Sequence, residues 1–264
     1  MKRSTLKIDL KMKNARILLT ALFAVILGLA SFTVNAQDIE KRKWHYLSEI
    51  YLMFPTMSGE VGVADIPPVE LDADAGSIFS HIKMGAMLYL EATNDDWAIS
   101  SDLIYMKLGQ DVVPTSAITS GEVTMKQYAW EAAGLKHITP WLEAGLGGRL
   151  VSLYSGIDLE TALEETREGE ASKTWFDPII ILRSQGAIKD KWLLQFRGDI
   201  GGFGIGSDFA WQVQAYAGYR FCKLFQATIG YRYIGINYDH GEGLERFLYD
   251  VDTYGMVVRL GFNF

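Results

Sequence analysis

The last eleven residues, Tyr254–Phe264, read YGMVVRLGFNF and alternate between two kinds of side chain. One set is aromatic or aliphatic throughout and ends on Phe264, whereas the other holds glycine, valine, asparagine and the only charge of the stretch, Arg259. A period of two residues is that of a β-strand, and about ten residues is the length with which a tilted strand crosses a bilayer. The stretch therefore predicts a membrane strand with its apolar face towards lipid and Arg259 pointing inward.

Similar alternation recurs along the chain from His45 onward, and no long segment with the 3.6-residue period of a helix interrupts it. The pattern predicts an all-β fold, a transmembrane antiparallel up-and-down β-barrel of about ten strands. Eight or twelve strands stay open, because residues 60–72 could add a hairpin arm, although Pro67 and Pro68 disfavour a central strand there. The predicted strands lie near residues 45–54, 81–92, 96–109, 122–137, 139–156, 173–185, 191–202, 207–221, 224–239 and 247–264.

The predicted connections alternate between short turns and three long loops at 55–80, 110–121 and 157–172. Outer-membrane barrels have short turns on the periplasmic side and long loops outside, so this alternation predicts the orientation. The acidic segment 158–170 would then be a solvated outer loop, and a divalent cation bridging it to lipopolysaccharide is a further hypothesis. Trp175 is predicted near the outer rim, where tryptophan anchors a barrel at the membrane interface.

The N-terminal region has the layout of an export signal. The segment Ile17–Val34 is continuously apolar and follows a basic stretch, and small residues up to Ala36 form the pattern that a signal peptidase reads. These features predict cleavage after Ala36, so that residues 1–36 are a signal peptide and residues 37–264 the barrel domain. An uncleaved N-terminal anchor is the alternative, because eighteen apolar residues could just span a bilayer.

Charge and cysteine content narrow the class of protein. The predicted leader contains six basic residues and one acid, so the net charge of −7 for the whole chain leaves −12 for residues 37–264. Such acidity argues against nucleic acid as a partner. Cys222 is the only cysteine, so no disulfide can form within one chain. A secreted soluble β-sandwich would also alternate, but the leader, the aromatic strand ends and the terminal Phe264 favour the outer membrane of a Gram-negative-type bacterium.

The inward phase of the predicted strands carries six acids and six arginines. A barrel of about eight strands has an interior just wide enough for side chains to fill, and a barrel of ten is little wider. The balanced set therefore predicts a lumen closed by ion pairs, with a constriction that filters small solutes as the functional alternative. The predicted lumen residues are Glu91, Asp102, Glu131, Glu143, Asp177 and Asp199, with Arg149, Arg183, Arg197, Arg220, Arg232 and Arg259.

Patterns for catalysis or metal binding are weak, and no metal or cofactor is expected. The four histidines, which have no metal-ligand spacing, are His45, His81, His137 and His240. Only the pair Asp239-His240 falls at a predicted outer rim, with Ser207 on a neighbouring connection. This arrangement motivates the alternative of a lipid-modifying barrel enzyme, an acyl hydrolase or transferase. The glycines of 201–206 have the wrong spacing for a phosphate loop and predict a tight outer turn.

Four motifs stand out in the second half of the chain. They are Trp175-Phe176-Asp177-Pro178, the segment 201–208 with Trp211-Gln212, Gly218–Phe221 and Gly230–Tyr233. In order and spacing they resemble a widespread, largely uncharacterised family of bacterial outer-membrane β-barrel proteins. The likeness extends weakly upstream to Met84-Gly85, so it covers nearly the whole predicted barrel domain. The resemblance implies the fold and the location and brings no activity, substrate or cofactor.

These observations predict an integral outer-membrane barrel, either structural or a narrow, porin-like conduit for small solutes, and not an enzyme. The expected partners are outer-membrane lipids, including lipopolysaccharide. A further expected partner is the outer-membrane assembly machinery, which would recognise the terminal aromatic residue Phe264. The chain is expected to be a monomer. The sequence does not indicate which solute such a conduit would carry.

Overall fold

The computed structural model describes residues 43–63, 67–111, 118–161 and 166–264. The predicted leader and its cleavage site lie outside these residues. The strands are β1 (His45–Val63), β2 (Val69–Ala73), β3 (Ile82–Thr93), β4 (Trp97–Asp111), β5 (Ile118–Thr139), β6 (Leu142–Thr161), β7 (Thr166–Ile188), β8 (Trp192–Gly201), β9 (Phe209–Arg220), β10 (Phe225–His240) and β11 (Phe247–Asn263). An α-helix, α1 (Ala75–His81), precedes β3, and a 3-10 turn (Gly243–Glu245) precedes β11. No helix in the ranges given above is long and apolar enough to span a membrane.

Ten of these strands form one closed antiparallel wall. From β3 to β11 each strand pairs with the next along the chain, while β1 pairs with β3 on one side and with β11 on the other. The closing ladder between β1 and β11 runs from Leu47↔Asn263 to Val63↔Phe247. The predicted antiparallel up-and-down barrel of ten strands is therefore confirmed, in preference to eight or twelve.

The strand β2 lies beside the wall and does not belong to it. Within the described residues it pairs only with positions 57–61 of β1. The hairpin arm considered at 60–72 therefore exists in part, but it adds no barrel strand. Pro67 and Pro68 come directly before β2, and the lack of backbone N–H groups there prevents the ladder from continuing.

The three predicted long loops are shorter than expected, because the strands continue beyond the membrane-crossing length. β1 extends to Val63 into the predicted loop 55–80, and only residues 162–165 separate β6 from β7. The backbones of residues 158 and 168 are register partners, so the prediction that the whole of 158–170 is a loop is wrong. A ladder can continue wherever two backbones satisfy each other's hydrogen bonds, which does not require apolar side chains.

At the end of the barrel where β1 begins and β11 ends, every connection between neighbouring strands is four residues long or shorter. These connections are residues 94–96, 140–141, 189–191 and 221–224. Because outer-membrane barrels have their short turns in the periplasm, we refer to this end as the inner end and to the opposite end as the outer end.

At the outer end, residues 202–208 join β8 to β9 in a tight turn. Gly202 and Gly204 have φ angles of +83° and +70°, a left-handed conformation that glycine adopts without steric cost. A Cβ atom on Gly206 would lie 2.2 Å from the carbonyl oxygen of Phe176, so this close approach of two backbones also requires glycine. The predicted tight outer turn is confirmed.

The barrel is apolar outside and polar inside. On β11, Met256 is 50% exposed whereas Arg259 is only 2% exposed. The exposed phase continues around the wall with residues such as Leu182 of β7 and Phe196 of β8. A soluble antiparallel sheet packs its apolar face on the core, whereas an outward apolar band is what a transmembrane barrel presents to lipid.

Candidate functional site in the barrel lumen

The lumen contains two layers of different chemistry. Ten of the twelve predicted lumen residues are buried and take part in ion pairs with one another or with Glu49, and we call this set together with Glu49 the charged layer. Its members are Glu49, Glu91, Asp102, Glu131, Glu143, Arg149, Arg183, Arg197, Asp199, Arg232 and Arg259. Towards the outer end, the lumen is lined by apolar side chains instead.

Two arginines and two acids form the centre of the charged layer. Arg149 donates through Nη2 to Asp199 Oδ1 at 2.6 Å and through Nε to Glu131 Oε2 at 3.1 Å. Arg197 forms ion pairs with the same two carboxylates, Glu131 and Asp199. Each acid therefore faces two guanidinium groups, which compensates the burial of all four charges.

A chain of polar contacts links this centre to β1 and β10. Arg232 donates to Asp102 Oδ2 at 2.9 Å, and the Tyr51 hydroxyl donates to the other oxygen of the same carboxylate at 2.5 Å. The side chain of Gln212 accepts from Arg232 Nε at 2.8 Å and donates to Asp199 at 2.8 Å. Gln212 thus connects two ion pairs that would otherwise be separate.

A second group lies nearer the inner end around Arg183. This guanidinium is paired with both Glu91 and Glu143, and it donates to the Tyr89 hydroxyl at 2.9 Å. His137 Nε2 lies 3.3 Å from Glu143. Arg183 is therefore the shared cation of two buried carboxylates.

Arg259, the lumen arginine predicted from the last strand, is surrounded by aromatic rings that the strand pattern did not indicate. The Arg259 guanidinium carbon lies 3.9 Å from the ring centroid of Tyr216 and 5.3 Å from those of Tyr51 and Tyr89. Arg259 also donates to Glu49 Oε2 at 3.1 Å. Face-on contacts of this kind stabilise a buried cation. The inward phase of the first strand, read as it was for the other strands, would have identified Glu49.

Two predicted members do not belong to the charged layer. Asp177 accepts from the backbone N–H of Ser207 at 2.6 Å and from Trp175 Nε1 at 3.1 Å, so it fastens the outer turn and does not neutralise an arginine. Arg220 is the last residue of β9 and lines the inner mouth half-buried, with no ion pair to a described residue. Arg220 ends its strand and Asp177 lies beside the turn 202–208, and strand phase does not indicate the nearest partner in either place.

Trp175 is also placed differently from the prediction. It is buried in the lumen, with ring centroids 4.5 Å from Tyr238 and 6.0 Å from Tyr249. The interpretation of this tryptophan as an interface anchor is therefore wrong. Because Trp175 donates to Asp177, two motifs of the family resemblance, Trp175–Pro178 and 201–208, meet at this point of the structure.

The residues that motivated an enzyme are not joined into a catalytic arrangement. The Asp239 carboxylate accepts two hydrogen bonds from the Arg246 guanidinium, at 2.9 and 2.8 Å. Ser207 Oγ and His240 Nδ1 are buried, and neither has a hydrogen-bond partner among the described atoms, so they are not bonded to each other. Within the described residues no group of three or more potential ligands could hold a metal ion.

Above the charged layer lie two adjoining cavities of about 280 and 60 Å³, and we call them together the outer chamber. They share Met57, Met106, Gln127 and Tyr249. The larger cavity is lined mainly by aliphatic and aromatic residues, while the smaller one reaches down to the charged layer. Below that layer, the inner mouth encloses a separate cavity of about 680 Å³.

The closed wall, the apolar exterior and the charged interior define a transmembrane β-barrel of the bacterial outer-membrane type, because only a closed barrel satisfies every strand in lipid. No family model and no curated protein sequence matches this chain.

Several solved structures are similar to this chain over most of its length. They include Ail of Yersinia pestis (13% identity, TM-score 0.37, 84% of this chain and 98% of that one), the outer membrane protease OmpT of Escherichia coli (8%, 0.45, 86% and 99%) and the toluene transporter TodX of P. putida (9%, 0.30, 84% and 90%). With these identities and TM-scores the likeness carries no argument, and the class rests on the geometry of the barrel itself.

Proposed function

We propose that this chain is an integral outer-membrane protein whose barrel is closed to large solutes, as a structural element or a narrow conduit for small ones. The observation that carries the proposal is the charged layer, because it crosses the whole lumen. Nine of the ten wall strands contribute a charged member, and β9 contributes Gln212 and Gln214. Every charged member is at most 8% exposed.

The charged layer is held in place by mutual compensation. A buried charge that loses its partner costs about 3–5 kcal/mol, so no single side chain swings out of the lumen easily. Acids and arginines are joined directly or through Gln212, which restricts each rotamer further. This layer therefore leaves no wide aqueous path, in contrast to the open interior of a large porin.

The proposal includes the absence of catalytic activity. Two contacts at the outer rim support this part of the proposal. The Asp239 carboxylate is hydrogen-bonded to Arg246, and Ser207 and His240 are not bonded to each other. An activated serine needs a base within hydrogen-bond reach. If the purified barrel altered the acyl composition of phospholipid or lipopolysaccharide, and His240→Ala removed that change, the non-enzymatic proposal would be abandoned.

The exterior supports two proposed partners. The apolar band would be solvated by outer-membrane lipid, including lipopolysaccharide. The Phe264 side chain is 70% exposed, while its backbone N–H and C=O pair with Tyr46, so the ring is available to the assembly machinery. Phe264→Ala should reduce the amount of folded barrel in the outer membrane, whereas Leu244→Ala at an exposed outer turn should not.

The closed lumen is tested by reconstituting the purified protein in planar bilayers. The wild-type barrel should show at most small, infrequent conductance steps. Glu131→Ala removes the acid shared by Arg149 and Arg197, so it should raise the frequency of openings. Glu122→Ala on the same strand, whose side chain is 42% exposed, is the matched control. Large, stable openings in the wild-type protein would contradict the proposal.

A further inference from the structure

The barrel wall is interrupted between β1 and β3. Their ladder covers only His45↔Thr93 to Ile50↔Leu88. Further out, β1 pairs again at Met57, but with β2. Among the described residues, positions 51–56 of β1 and 82–87 of β3 therefore have no strand partner on the sides that face each other, and we call this interval the lateral gap.

The sequence around the lateral gap explains the interruption. Pro55 has no backbone N–H to donate to a neighbouring strand. Gly85 is the register partner of Met106 and so lies on the inner face, where it contributes no side chain to cover the opening. A register shift between Ile82 and Met84 bends the start of β3.

The helix α1 bounds the lateral gap at its outer end. Phe79 stacks on Phe54 with ring centroids 5.1 Å apart, while Ile78 is buried in the apolar lumen cluster. The helix thus contacts both the outer surface of β1 and the interior of the barrel. The unpaired interval is therefore limited at its inner end by the ladder to β3 and at its outer end by α1.

The lateral gap lies at the depth of the lipid-facing band. Leu52 is the register partner of Val258, which in turn is the partner of Ile229. All three side chains are exposed on the outside of the wall. The gap is edged by further exposed apolar residues, Phe54 and Met84. Hydrocarbon offers no hydrogen-bond partner to the unpaired backbone N–H and C=O groups of these edges, so the lateral gap is a weak point of the wall at this depth.

The outer chamber lies directly behind the lateral gap. Met53, Pro55 and Met87, on the two facing edges, line its smaller cavity. The larger cavity, at about 280 Å³, falls just below the common range of about 300–1,000 Å³ for ligand pockets. A roomy apolar cavity of this kind stays dry or takes an apolar molecule.

The floor of the outer chamber offers a polar anchor. Arg149 lines it, and although its Nε and Nη2 bond to acids, its Nη1 has no hydrogen-bond partner among the described atoms. Gln127 lines both cavities. Because the two acids and two arginines of the floor balance, the site favours an uncharged polar end over a second ion.

We propose that the outer chamber binds a single hydrocarbon chain with a small uncharged polar end, which enters from the outer leaflet through the lateral gap. The chain contacts Met57, Met106 and Tyr249, and its polar end accepts a hydrogen bond from Arg149 Nη1. This inference deepens the proposed function and rests on it in one respect, since the charged layer forms the floor of the site.

The test uses the full folded barrel in liposomes that contain dodecanol bearing a terminal diazirine. After illumination, peptide mass spectrometry locates the labelled residues. We expect label on the lumen residues Met57, Met106 and Tyr249 in addition to the lipid-facing Met256 and Val258. Label on lipid-facing residues alone would overturn the proposal.

Two variants separate binding from lateral entry. Gly85→Phe places a ring in the lateral gap; its Cβ has room, because the nearest atom is the flexible Ile82 Cδ1 at 3.2 Å. It should slow lumen labelling at least tenfold, while Ala86→Phe on the outer face of the same strand should not. An unchanged rate in Gly85→Phe would overturn lateral entry.

Met106→Trp fills the outer chamber and should abolish lumen labelling, with Tyr105→Trp, on the lipid-facing side, as its control. Persistent lumen label in Met106→Trp would overturn the chamber as the binding site. The conductance test is independent of these experiments. If the barrel conducts in planar bilayers and the lumen residues are labelled, only the closed lumen is overturned. If the barrel does not conduct and the lumen residues are not labelled, only the binding of a hydrocarbon chain in the outer chamber is overturned.

Discussion

The inner and outer halves of the lumen are built from the same strands and have opposite chemistry. β6 contributes Arg149 to the charged layer and, four residues further out, Leu153 to the outer chamber. At this depth β6 is paired in ladders with both β5 and β7, so its inward side chains are free to differ between the two halves. One half is filled and mutually compensated, and the other retains a cavity. We therefore expect substitutions in the charged layer to lower the free energy of unfolding most. We expect substitutions in the outer chamber to affect the proposed binding of a hydrocarbon chain most.

The largest effect is expected for Arg183→Met. The substitution leaves the buried carboxylates of Glu91 and Glu143 without their shared cation, which should lower the free energy of unfolding by about 3–5 kcal/mol. Urea titration in micelles and the temperature at which heat-modifiable gel mobility is lost both measure it. Lys83→Met, in a half-exposed pair with Glu122, is the control and should cost less than about 1 kcal/mol. Equal effects of the two variants would mean that the charged layer is hydrated.

The next largest effect is expected for Asp199→Ala, which should lower the free energy of unfolding by about 3 kcal/mol, the lower end of the same range. Arg149 and Arg197 each lose one carboxylate but keep Glu131. A double-mutant cycle with Arg149→Ala measures the coupling between the two residues, which share a contact of 2.6 Å. Additive effects would show that the centre of the charged layer does not act as one unit.

Met106→Ala tests the outer half of the lumen. It should lower the free energy of unfolding by about 2 kcal/mol, the lower end of the range for truncating a buried methionine. Met106 already borders a cavity, so its removal breaks fewer contacts than in a filled core. The same urea titration applies. A loss as large as that of Arg183→Met would contradict the view that the outer chamber is loosely packed.

The smallest effect is expected at the outer rim, beyond the membrane band. Hydrogen bonds from Arg246 lower the pKa of Asp239 below its ordinary value of 3.8. The pair therefore stabilises the folded state above pH 3.8, and this contribution is lost as the pH falls through the lower pKa of the folded protein. Because the Asp239 side chain is 38% exposed, Asp239→Asn should cost under about 1 kcal/mol at pH 7. Stability measured at pH 7 and pH 3 should therefore differ slightly less in the variant than in the wild-type barrel.

The wall was predictable from the sequence because lipid imposes a strict alternation. Every side chain of a membrane strand faces either hydrocarbon or the lumen, so Arg259 beside Val258 fixes the phase of its strand. The same rule identified ten of the eleven members of the charged layer. It did not indicate the partners of Asp177, which bonds to the turn 202–208, or of Arg220, which ends β9 at the inner mouth.

The lateral gap and the outer chamber could not be predicted in this way. Alternation reports which face a residue occupies, and it does not report whether two strands remain hydrogen-bonded along their length. Pro55 was the available signal, but it lay in a segment interpreted as loop. The partner of each acid was equally hidden, because Arg149 reaches Asp199 across an intervening strand.

The ladder between β1 and β11 also determines the order in which the barrel can assemble. Hairpin neighbours such as β5 and β6 meet after a turn of a few residues, whereas Leu47 and Asn263 are roughly 200 residues apart in the chain when they pair. Contacts between such distant segments form late and slowly. An intermediate that lacks this seam therefore carries two long unpaired edges at once, and any helper that holds those edges apart from other chains would act at the last step of folding.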